Sequence, residues 1–204
     1  MKKVSYLLVA YKSNDVISDA IKSIQQQTGG FEREIIVIDN GSTDGTGAAI
    51  TELGDPRIQY RWQEDSGLPA DSRNRGLAMA RGRWIAFLDA DDLWAPTKLA
   101  RVAAALEADP GLDALCHHVR VIDVEGRVTG KRAYRLDSRP IADQLQYRGN
   151  FLTTSAMVVR RSAIEEVGGF DTRREYFTVE DFDLWLRLAE TGHATADAAP
   201  PSRE

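Results

Sequence analysis

Three aspartates stand close together after an apolar run, in the segment WIAFLDADDLW at residues 84–94. When ionised, the carboxylates of Asp89, Asp91 and Asp92 repel one another, unless a cation lies between them or one carboxylate stays protonated. Clustered oxygen ligands favour Mg²⁺ or Mn²⁺, which often bind through one or two carboxylates and the phosphates of a substrate. We therefore expect a divalent cation here. Capping of the following helix, or simple exposure to water, is the alternative for these aspartates.

Two other kinds of site with closely spaced aspartates fit this segment less well. An EF-hand loop beginning at Asp89 requires glycine at its sixth position and glutamate at its twelfth, where this chain has Trp94 and Ala100. A phosphotransferase of the haloacid dehalogenase type has Asp-x-Asp near the start of its domain, with Thr or Val two residues on, where this chain has Leu93. The EF-hand is excluded, and the phosphotransferase is a second choice.

Two more polar segments combine carboxylates with turn or helix signals. In VIDNGSTDGT at residues 37–46, Asp39 ends an apolar run, and two glycines permit a tight path before a helix. In TVEDFDLWLRLAE at residues 178–190, acidic residues open an amphipathic helix, where they also interact favourably with the helix dipole. Thr178 and Asp181 have the spacing of a capping arrangement. For both segments, a purely structural role is the alternative.

The elements that carry these residues alternate between strand and helix in the first half of the chain. Strands are predicted at 4–10, 34–39, 57–62 and 83–89, and one of the intervening helices at 69–81. This alternation predicts a mostly parallel sheet flanked by helices, an α/β fold in which ligands bind beyond the carboxyl ends of the strands. Asp39 and Asp89 both stand at such ends.

The second half of the chain is less regular. Residues 114–130 resemble strands joined by a Glu-Gly turn, and residues 131–150 are polar without a clear period. A further strand and short helix are predicted within 155–171, and an amphipathic helix from about 180 to 190.

Composition limits the function classes that remain. A chain of 204 residues with 43% hydrophobic content predicts one globular domain, and its net charge of −5 comes without a basic stripe for nucleic acid. Cys116 is the only cysteine, which excludes an intrachain disulfide or a cysteine zinc site and favours a reducing compartment. No apolar stretch approaches the roughly 20 residues of a membrane-spanning helix. The N-terminal apolar run lacks a signal-peptide cleavage pattern, so we expect a strand there.

Five segments, in order along the chain, resemble the GT-A glycosyltransferases of family 2, which are inverting enzymes that use nucleotide sugars. The resemblance implies the Rossmann-like GT-A (nucleotide-diphospho-sugar transferase) fold for residues 1–192, with a nucleotide-binding half at 1–110. A smaller, mixed region on the acceptor side, at 111–192, would supply the catalytic base. The segments are LLVAYKSNDVISDAIKSIQQQT, EIIVIDNGSTDGT, ADSRNRGLAMARGRWIAFLDADDLW, TSAMVVRRSAIEEVGGFD and EDFDLWLRLA.

The resemblance also implies roles for residues that would bind the nucleotide. Ala10 and Tyr11 would lie against the base, and Asp39 would accept a hydrogen bond from its ring N–H. Arg73 would help to hold the base or the phosphates, although Ser72 replaces the alanine usual in that segment. Asp89 would also belong to the nucleotide-binding residues.

The metal and the chemistry are expected at the other motifs. Asp89 and Asp91 correspond to the Asp-x-Asp motif, with Asp91 and Asp92 nearest the ribose and the metal, Mn²⁺ or Mg²⁺, and Asp91 the direct ligand. Asp181 corresponds to the inverting base, with Glu180 and Asp183 as substitutes or as groups that position the acceptor. The turn beside the donor sugar and the acceptor would be formed by Gly168, Gly169, Phe170 and Asp171.

The match departs from the family at the C-terminal end. Family members usually continue with another strand and a loop carrying an Arg-x-His segment, so we expect the C-terminal part of the family domain to be missing and residues 193–204 to form a disordered tail.

The expected partners are a nucleotide-sugar donor, with UDP favoured, and a glycan or lipid-linked acceptor in cell-surface polysaccharide synthesis. Nucleic acid is not an expected partner. We expect a cytoplasmic location, with peripheral contact to the inner face of the membrane left open. A truncated, non-catalytic module that binds nucleotide sugars is the alternative.

Overall fold

The computed structural model describes residues 3–132 and 136–197. None of the helices in these two ranges is both long and apolar enough to cross a lipid bilayer. The strands are β1 (Lys3–Ala10), β2 (Glu32–Asn40), β3 (Ile58–Gln63), β4 (Trp84–Asp89), β5 (Ala114–Cys116), β6 (Val119–Ile122), β7 (Val128–Arg132), β8 (Val158–Arg160) and β9 (Thr195–Asp197). The helices are α1 (Ile17–Gln25), α2 (Thr46–Glu52), α3 (Pro69–Met79), α4 (Lys98–Ala108), α5 (Ile141–Arg148), α6 (Arg161–Glu166) and α7 (Glu180–Glu190), with short 3-10 turns at Thr154–Ala156 and Arg174–Tyr176.

Seven strands form the central sheet in the order β3-β2-β1-β4-β8-β5-β9. The pairs among β3, β2, β1 and β4 are parallel, β8 runs antiparallel to both of its neighbours, and β9 is parallel to β5. The predicted mostly parallel sheet is therefore confirmed. In register, Ala10 pairs with Asp39 on one side of β1, and Val9 pairs with Asp89 on the other. Both aspartates thus lie at the same edge of the sheet, on either side of the end of β1.

The sheet has a buried face on each side because successive residues of a strand point in opposite directions. Leu8 of β1 packs in one apolar cluster with residues of α1, α2 and α4, and its neighbour Leu7 packs in the other with residues of α3, α5, α6 and α7. The central strands are apolar on both faces, as expected for parallel strands covered by helices on both sides.

Strands β6 and β7 form a separate two-stranded antiparallel sheet, which confirms the predicted strands joined by a Glu-Gly turn. Val119 at its start is half-buried and packs against the second apolar cluster. Helix α5 follows, within the segment where the sequence shows no clear period. Its one fully buried apolar side chain is Leu145, so too little of its length is apolar to produce a helical pattern.

The C-terminal residues differ in part from the expected disordered tail at 193–204. Thr195–Asp197 form β9, which pairs with β5 through its backbone. The rest of the predicted tail, residues 198–204, lies outside the described residues.

Candidate active site

The carboxyl ends of β1 and β2 bring three of the predicted nucleotide-binding residues together. Ala10 is fully buried at the end of β1, and Tyr11 beside it is half exposed. Asp39 is buried at the end of β2, where one carboxylate oxygen accepts the Ser42 N–H at 2.8 Å and the other accepts the Tyr60 hydroxyl at 2.8 Å. Burial and the hydrogen bond to Asp39 raise the pKa of Tyr60 to about 12, so this hydroxyl stays protonated and donates. The orientation of the Asp39 carboxylate is therefore fixed by its own turn and by β3.

Arg73 of α3 lies between two carboxylates from distant parts of the chain. Its Nη1 pairs with Glu180, the first residue of α7, and its Nη2 lies 3.2 Å from Oδ1 of Asp89 at the end of β4. The side chains of Arg73 and Glu180 are only 10% and 8% exposed. The guanidinium also lies 5.4 Å from the centre of the Phe170 ring. Arg73 thus joins the aspartate segment after β4 to the start of α7.

The aspartate segment after β4 places three carboxylates within four residues, Asp89, Asp91 and Asp92. Burial raises the pKa of Asp89, and the nearby charges of Asp92 and Asp91 act in the same direction, while Arg73 opposes them. Among residues 3–132 and 136–197, no three or more His, Cys, Asp or Glu side chains converge as a ready metal cage. The donor set fits a hard divalent cation that takes only one or two carboxylates and completes its shell with phosphate and water.

Asp181 is held by side chains that precede β8. Its carboxylate accepts hydrogen bonds from Asn150 Nδ2 at 3.1 Å and Thr154 Oγ1 at 2.9 Å, and from the N–H of Phe182 at 2.7 Å. The predicted capping arrangement with Thr178 is wrong: no side chain caps α7, and Thr178 has a positive φ of 72°. The physical reason is that the Asp181 carboxylate is engaged by Asn150, Thr154 and the N–H of Phe182, and does not reach back to Thr178.

Asp183, another carboxylate of the same helix turn, has a different environment. It pairs with Arg187 one turn further along α7, at 2.6 Å. Arg187 in turn donates to the carbonyl oxygens of Val167 and Gly169. Asp183 therefore secures the turn after α6 to α7, and it is not among the residues that line the cavity described below.

The Gly-Gly-Phe-Asp turn after α6 is held by Asn74 of α3. The Asn74 amide donates to the carbonyl of Phe170 at 2.8 Å and accepts the N–H of Phe170 at 2.9 Å. Gly168 and Gly169 have φ of +81° and +75°, in the left-handed region that favours glycine. Phe170 is buried against the rings of Phe87 and Trp185. Asp171, the last residue of this turn, forms a surface pair with Arg173 at 2.7 Å.

The turn Thr154–Ala156 connects the Asp181 side of the site to the aspartate segment. Ser155 Oγ accepts the N–H of Asp89 at 2.9 Å, and the Ser155 carbonyl accepts Trp94 Nε1 at 3.0 Å and Lys98 Nζ at 2.8 Å. Lys98 is buried, which lowers its pKa well below the usual lysine value, although the charge of Asp92 opposes this shift. One short turn therefore contacts Asp89 through Ser155 and Asp181 through Thr154.

An open cavity of about 580 Å³ lies between Asp89 and Asp181. Its other lining residues are the segment 150–154 and Arg132 from the end of β7. Sequence reasoning found Asp89 and Asp181 through their motifs, but it missed Asn150, Thr154 and Arg132. Thr154 lies in one of the five matched segments, which was the available signal. Asn150 and Arg132 fall in the polar stretch without a period, where no pattern marked them.

Comparisons with known proteins identify the family and the fold of the chain. The family model described as "Glycosyl transferase family 2" matches residues 5–168. The chain is 36% identical to the succinoglycan biosynthesis protein ExoO of Rhizobium meliloti (strain 1021), over 61% of this chain and 35% of ExoO. It is 29% identical to the Escherichia coli UDP-Glc:alpha-D-GlcNAc-diphosphoundecaprenol beta-1,3-glucosyltransferase WfaP, over 94% of this chain and 72% of WfaP.

A solved structure has a similar fold. The crystal structure of S. aureus TarS 1-349 in complex with UDP matches with a TM-score of 0.76 at 22% identity, over 96% of this chain and 57% of that one. At this identity the likeness concerns the fold alone. The chain spans about a third of the length of ExoO and somewhat more than half of this TarS chain.

Proposed function

The chain belongs to glycosyl transferase family 2 and has the GT-A fold, and on that premise we propose that it transfers a sugar from a nucleotide sugar to an acceptor hydroxyl with inversion. The observation that carries the proposal is the pair of carboxylates that line one cavity, Asp89 at the end of β4 and Asp181 in the first turn of α7. One side of this cavity carries Asp89, at the sheet edge where we propose that the nucleotide binds. The other side presents a carboxylate that is already oriented by Asn150 and Thr154.

The donor would bind at the edge formed by β1, β2 and β4. Asp39, fixed by Ser42 and Tyr60, has an acceptor available for the ring N–H of a uracil base, and the exposed ring of Tyr11 lies near it. A bound divalent cation, held by Asp91 and Asp92, would supply positive charge beside the diphosphate, where negative charge develops as the sugar leaves. The UDP-Glc donor named for WfaP supports UDP as the nucleotide.

Asp181 would act as the general base. As the acceptor oxygen forms its bond to the anomeric carbon, the bond from that carbon to the diphosphate breaks, and the hydroxyl proton passes to the Asp181 carboxylate. The hydrogen bonds from Asn150 and Thr154 hold this carboxylate in position, so little reorganisation is needed during the reaction. General-base assistance of this kind commonly contributes about 10²–10⁴-fold in rate.

Arg73 and Glu180 would act mainly by positioning other residues of the site. Because Arg73 pairs with both Asp89 and Glu180, it fixes the first residue of α7, and with it Asp181, relative to the aspartate segment. We assign Arg73 this positioning role in addition to its expected contact with the phosphates. Glu180 is buried in the same pair and is not among the residues that line the cavity, so we do not assign it the base.

The acceptor proposal is a glycan or a lipid-linked sugar used in cell-surface polysaccharide synthesis. The succinoglycan biosynthesis named for ExoO and the diphosphoundecaprenol acceptor named for WfaP support it. The proposal includes a cytoplasmic location and leaves peripheral contact to the inner face of the membrane open.

Calorimetry and a donor-hydrolysis assay test the proposal together. We expect UDP to bind more tightly with Mn²⁺ than without it, and Asp91→Asn to remove that difference. Asp181→Asn should retain UDP binding while hydrolysis of UDP-glucose falls by about 10²-fold or more. Glu190→Gln is the control, because it removes an exposed carboxylate at the other end of the same helix, and it should stay near the parent rate. Equal hydrolysis in the parent and in Asp181→Asn would show that Asp181 is not the base. UDP binding without hydrolysis in the parent would favour a binding module.

A further inference from the structure

A positively charged side chain lines the cavity between Asp89 and Asp181, and the proposed chemistry gives it no role. Of the residues the structure describes, Arg132 is the one positively charged side chain that lines this cavity. Within residues 3–132 and 136–197, Arg132 makes no ion pair and no side-chain hydrogen bond. A guanidinium that faces two carboxylates across an open cavity without pairing with either is available to an anion that enters between them.

The strand pairing explains why Arg132 faces the cavity. In the hairpin, Arg132 of β7 stands directly opposite Val119 of β6, and such cross-strand partners lie on the same face of the sheet. Val119 is half-buried against the core, so this face is directed toward the body of the protein. The neighbouring pair, Arg120 and Lys131, belongs to the opposite face. The side chains of Lys131 and Arg132 therefore lie on opposite faces of the hairpin, although the two residues are adjacent in the sequence.

The cavity lies on the acceptor side of the site. Asp89 is the one predicted nucleotide-binding residue that lines it, while Ala10, Tyr11 and Asp39 lie along the sheet edge toward β2. The opposite wall carries Asp181, which the acceptor hydroxyl must reach for its proton to be removed. An anion beside Arg132 would therefore belong to the acceptor rather than to the donor diphosphate.

We propose that Arg132 binds a phosphate or diphosphate group carried by the acceptor, an inference that rests on the proposed function for the place of the acceptor. An anionic acceptor that approaches Asp89 and Asp181 is repelled unless a cation compensates, whereas a neutral glycan needs none. Guanidinium groups match phosphate oxygens with two parallel hydrogen bonds, which gives selectivity as well as affinity. The acceptor class that this site selects is a phosphorylated sugar.

Binding measurements test this without relying on turnover. The probes are N-acetylglucosamine linked through a diphosphate to a short alkyl chain, N-acetylglucosamine 1-phosphate, and the neutral alkyl glycoside of the same sugar. Each is titrated into the protein saturated with UDP and Mn²⁺. We expect the diphosphate ester to bind at least about tenfold more tightly than the neutral glycoside, and we expect Arg132→Gln to remove this difference in affinity. Lys131→Gln is the matched control and should preserve it, while Arg132→Lys should retain part of it.

The outcomes separate this proposal from its rivals. Equal affinity of the parent protein for charged and neutral glycosides would overturn it, as would equal losses in Arg132→Gln and Lys131→Gln. A loss of UDP affinity in Arg132→Gln as large as the loss for the diphosphate ester would assign Arg132 to the donor instead. Tight binding of the free 1-phosphate supports a soluble phosphorylated acceptor, and selectivity for the alkyl ester supports a lipid-linked one. Absence of donor hydrolysis in the parent contradicts the proposed enzyme function but leaves these affinities as measured.

Discussion

The guanidinium of Arg73 forms a buried ion pair with Glu180, a residue 107 positions further along the chain. Arg73→Met leaves the buried charge of Glu180 uncompensated, so we expect it to lower the free energy of unfolding by about 3 kcal/mol, and we expect Glu180→Gln to cost less because Arg73 keeps its pair with Asp89. The double variant should lose less than the sum of the two, because neither charge is then left alone. Urea denaturation measures the three values.

A surface pair provides the control for that prediction. Lys22 and Asp19 lie one turn apart on α1 with both side chains largely exposed, so Lys22→Met should change the free energy of unfolding by less than about 1 kcal/mol. If Arg73→Met were as mild as Lys22→Met, the joining role of Arg73 between β4 and α7 would be wrong.

Thr154 is expected to affect turnover more than donor binding. Its hydroxyl donates to Oδ2 of Asp181 at 2.9 Å, and Thr154→Val removes this bond while keeping the shape of the side chain. A lost hydrogen bond to a charged group corresponds to about a tenfold change in rate. We expect kcat to fall by about that factor with the donor KM unchanged, in a steady-state assay. Thr51→Val, which loses a hydrogen bond within α2, should leave kcat unchanged, and a rise in donor KM in Thr154→Val would contradict the assignment.

Glu34 predicts a measurable pH dependence of stability. Burial opposes ionisation of this carboxylate, but hydrogen bonds from Ser5 and the Arg81 N–H, together with the charge of Lys3, outweigh it and lower its pKa. A carboxylate whose pKa is lowered in the folded state stabilises the protein at pH values above the ordinary glutamate pKa of about 4.3. That contribution is lost as the pH falls through the folded-state pKa. The stability difference between the parent and Glu34→Gln should therefore be full at pH 7 and should shrink in acid.

Unfolding of both proteins at a series of pH values measures this difference. Glu32→Gln, on the same strand but exposed, should show a much smaller difference at every pH. If the difference in the free energy of unfolding between the parent and Glu34→Gln stayed constant as the pH is lowered, the effect of the substitution would be steric.

Gly82 occupies a position where no side chain fits. A Cβ atom there would lie 2.5 Å from the backbone N of Ser5, a distance that requires the strand itself to shift. Gly82→Ala should therefore cost about 2 kcal/mol or more in the free energy of unfolding, whereas Gly130→Ala, with its nearest contact at 3.6 Å, should cost less than about 1 kcal/mol. Thermal or chemical unfolding compares the two, and equal losses would contradict this close approach.

The sequence predicted those parts of the fold that have a strong local pattern. Strand β4 and helix α7 lie where the apolar run and the amphipathic period indicate them. Strand β9, in contrast, consists of Thr195, Ala196 and Asp197 and is defined by its pairing with β5, which no local pattern encodes. Helix α5 has too few buried apolar positions to be recognised.

The same distinction applies to the site. Asp39 and Asp89 were predictable because each ends an apolar strand, and parallel strands bring their carboxyl ends to one edge. The contacts of Asn74 with Phe170, and of Asn150 with Asp181, join residues 96 and 31 positions apart. Amide side chains are common on surfaces and in turns, so their type and spacing carry no signal until tertiary packing brings the partners together.

The reversed direction of β8 has a consequence for how such a protein can diversify. Because β8 runs opposite to β4, the residues before β8, not those after it, lie at the sheet edge that carries Asp89. The excursion from β5 to β8, described at residues 117–132 and 136–157, thus begins and ends on the central sheet. Its length and composition can change during evolution while the pairing of β1, β2 and β4 is preserved. On the proposed function, remodelling of this excursion alone would change the acceptor preference, while the proposed donor edge is inherited intact.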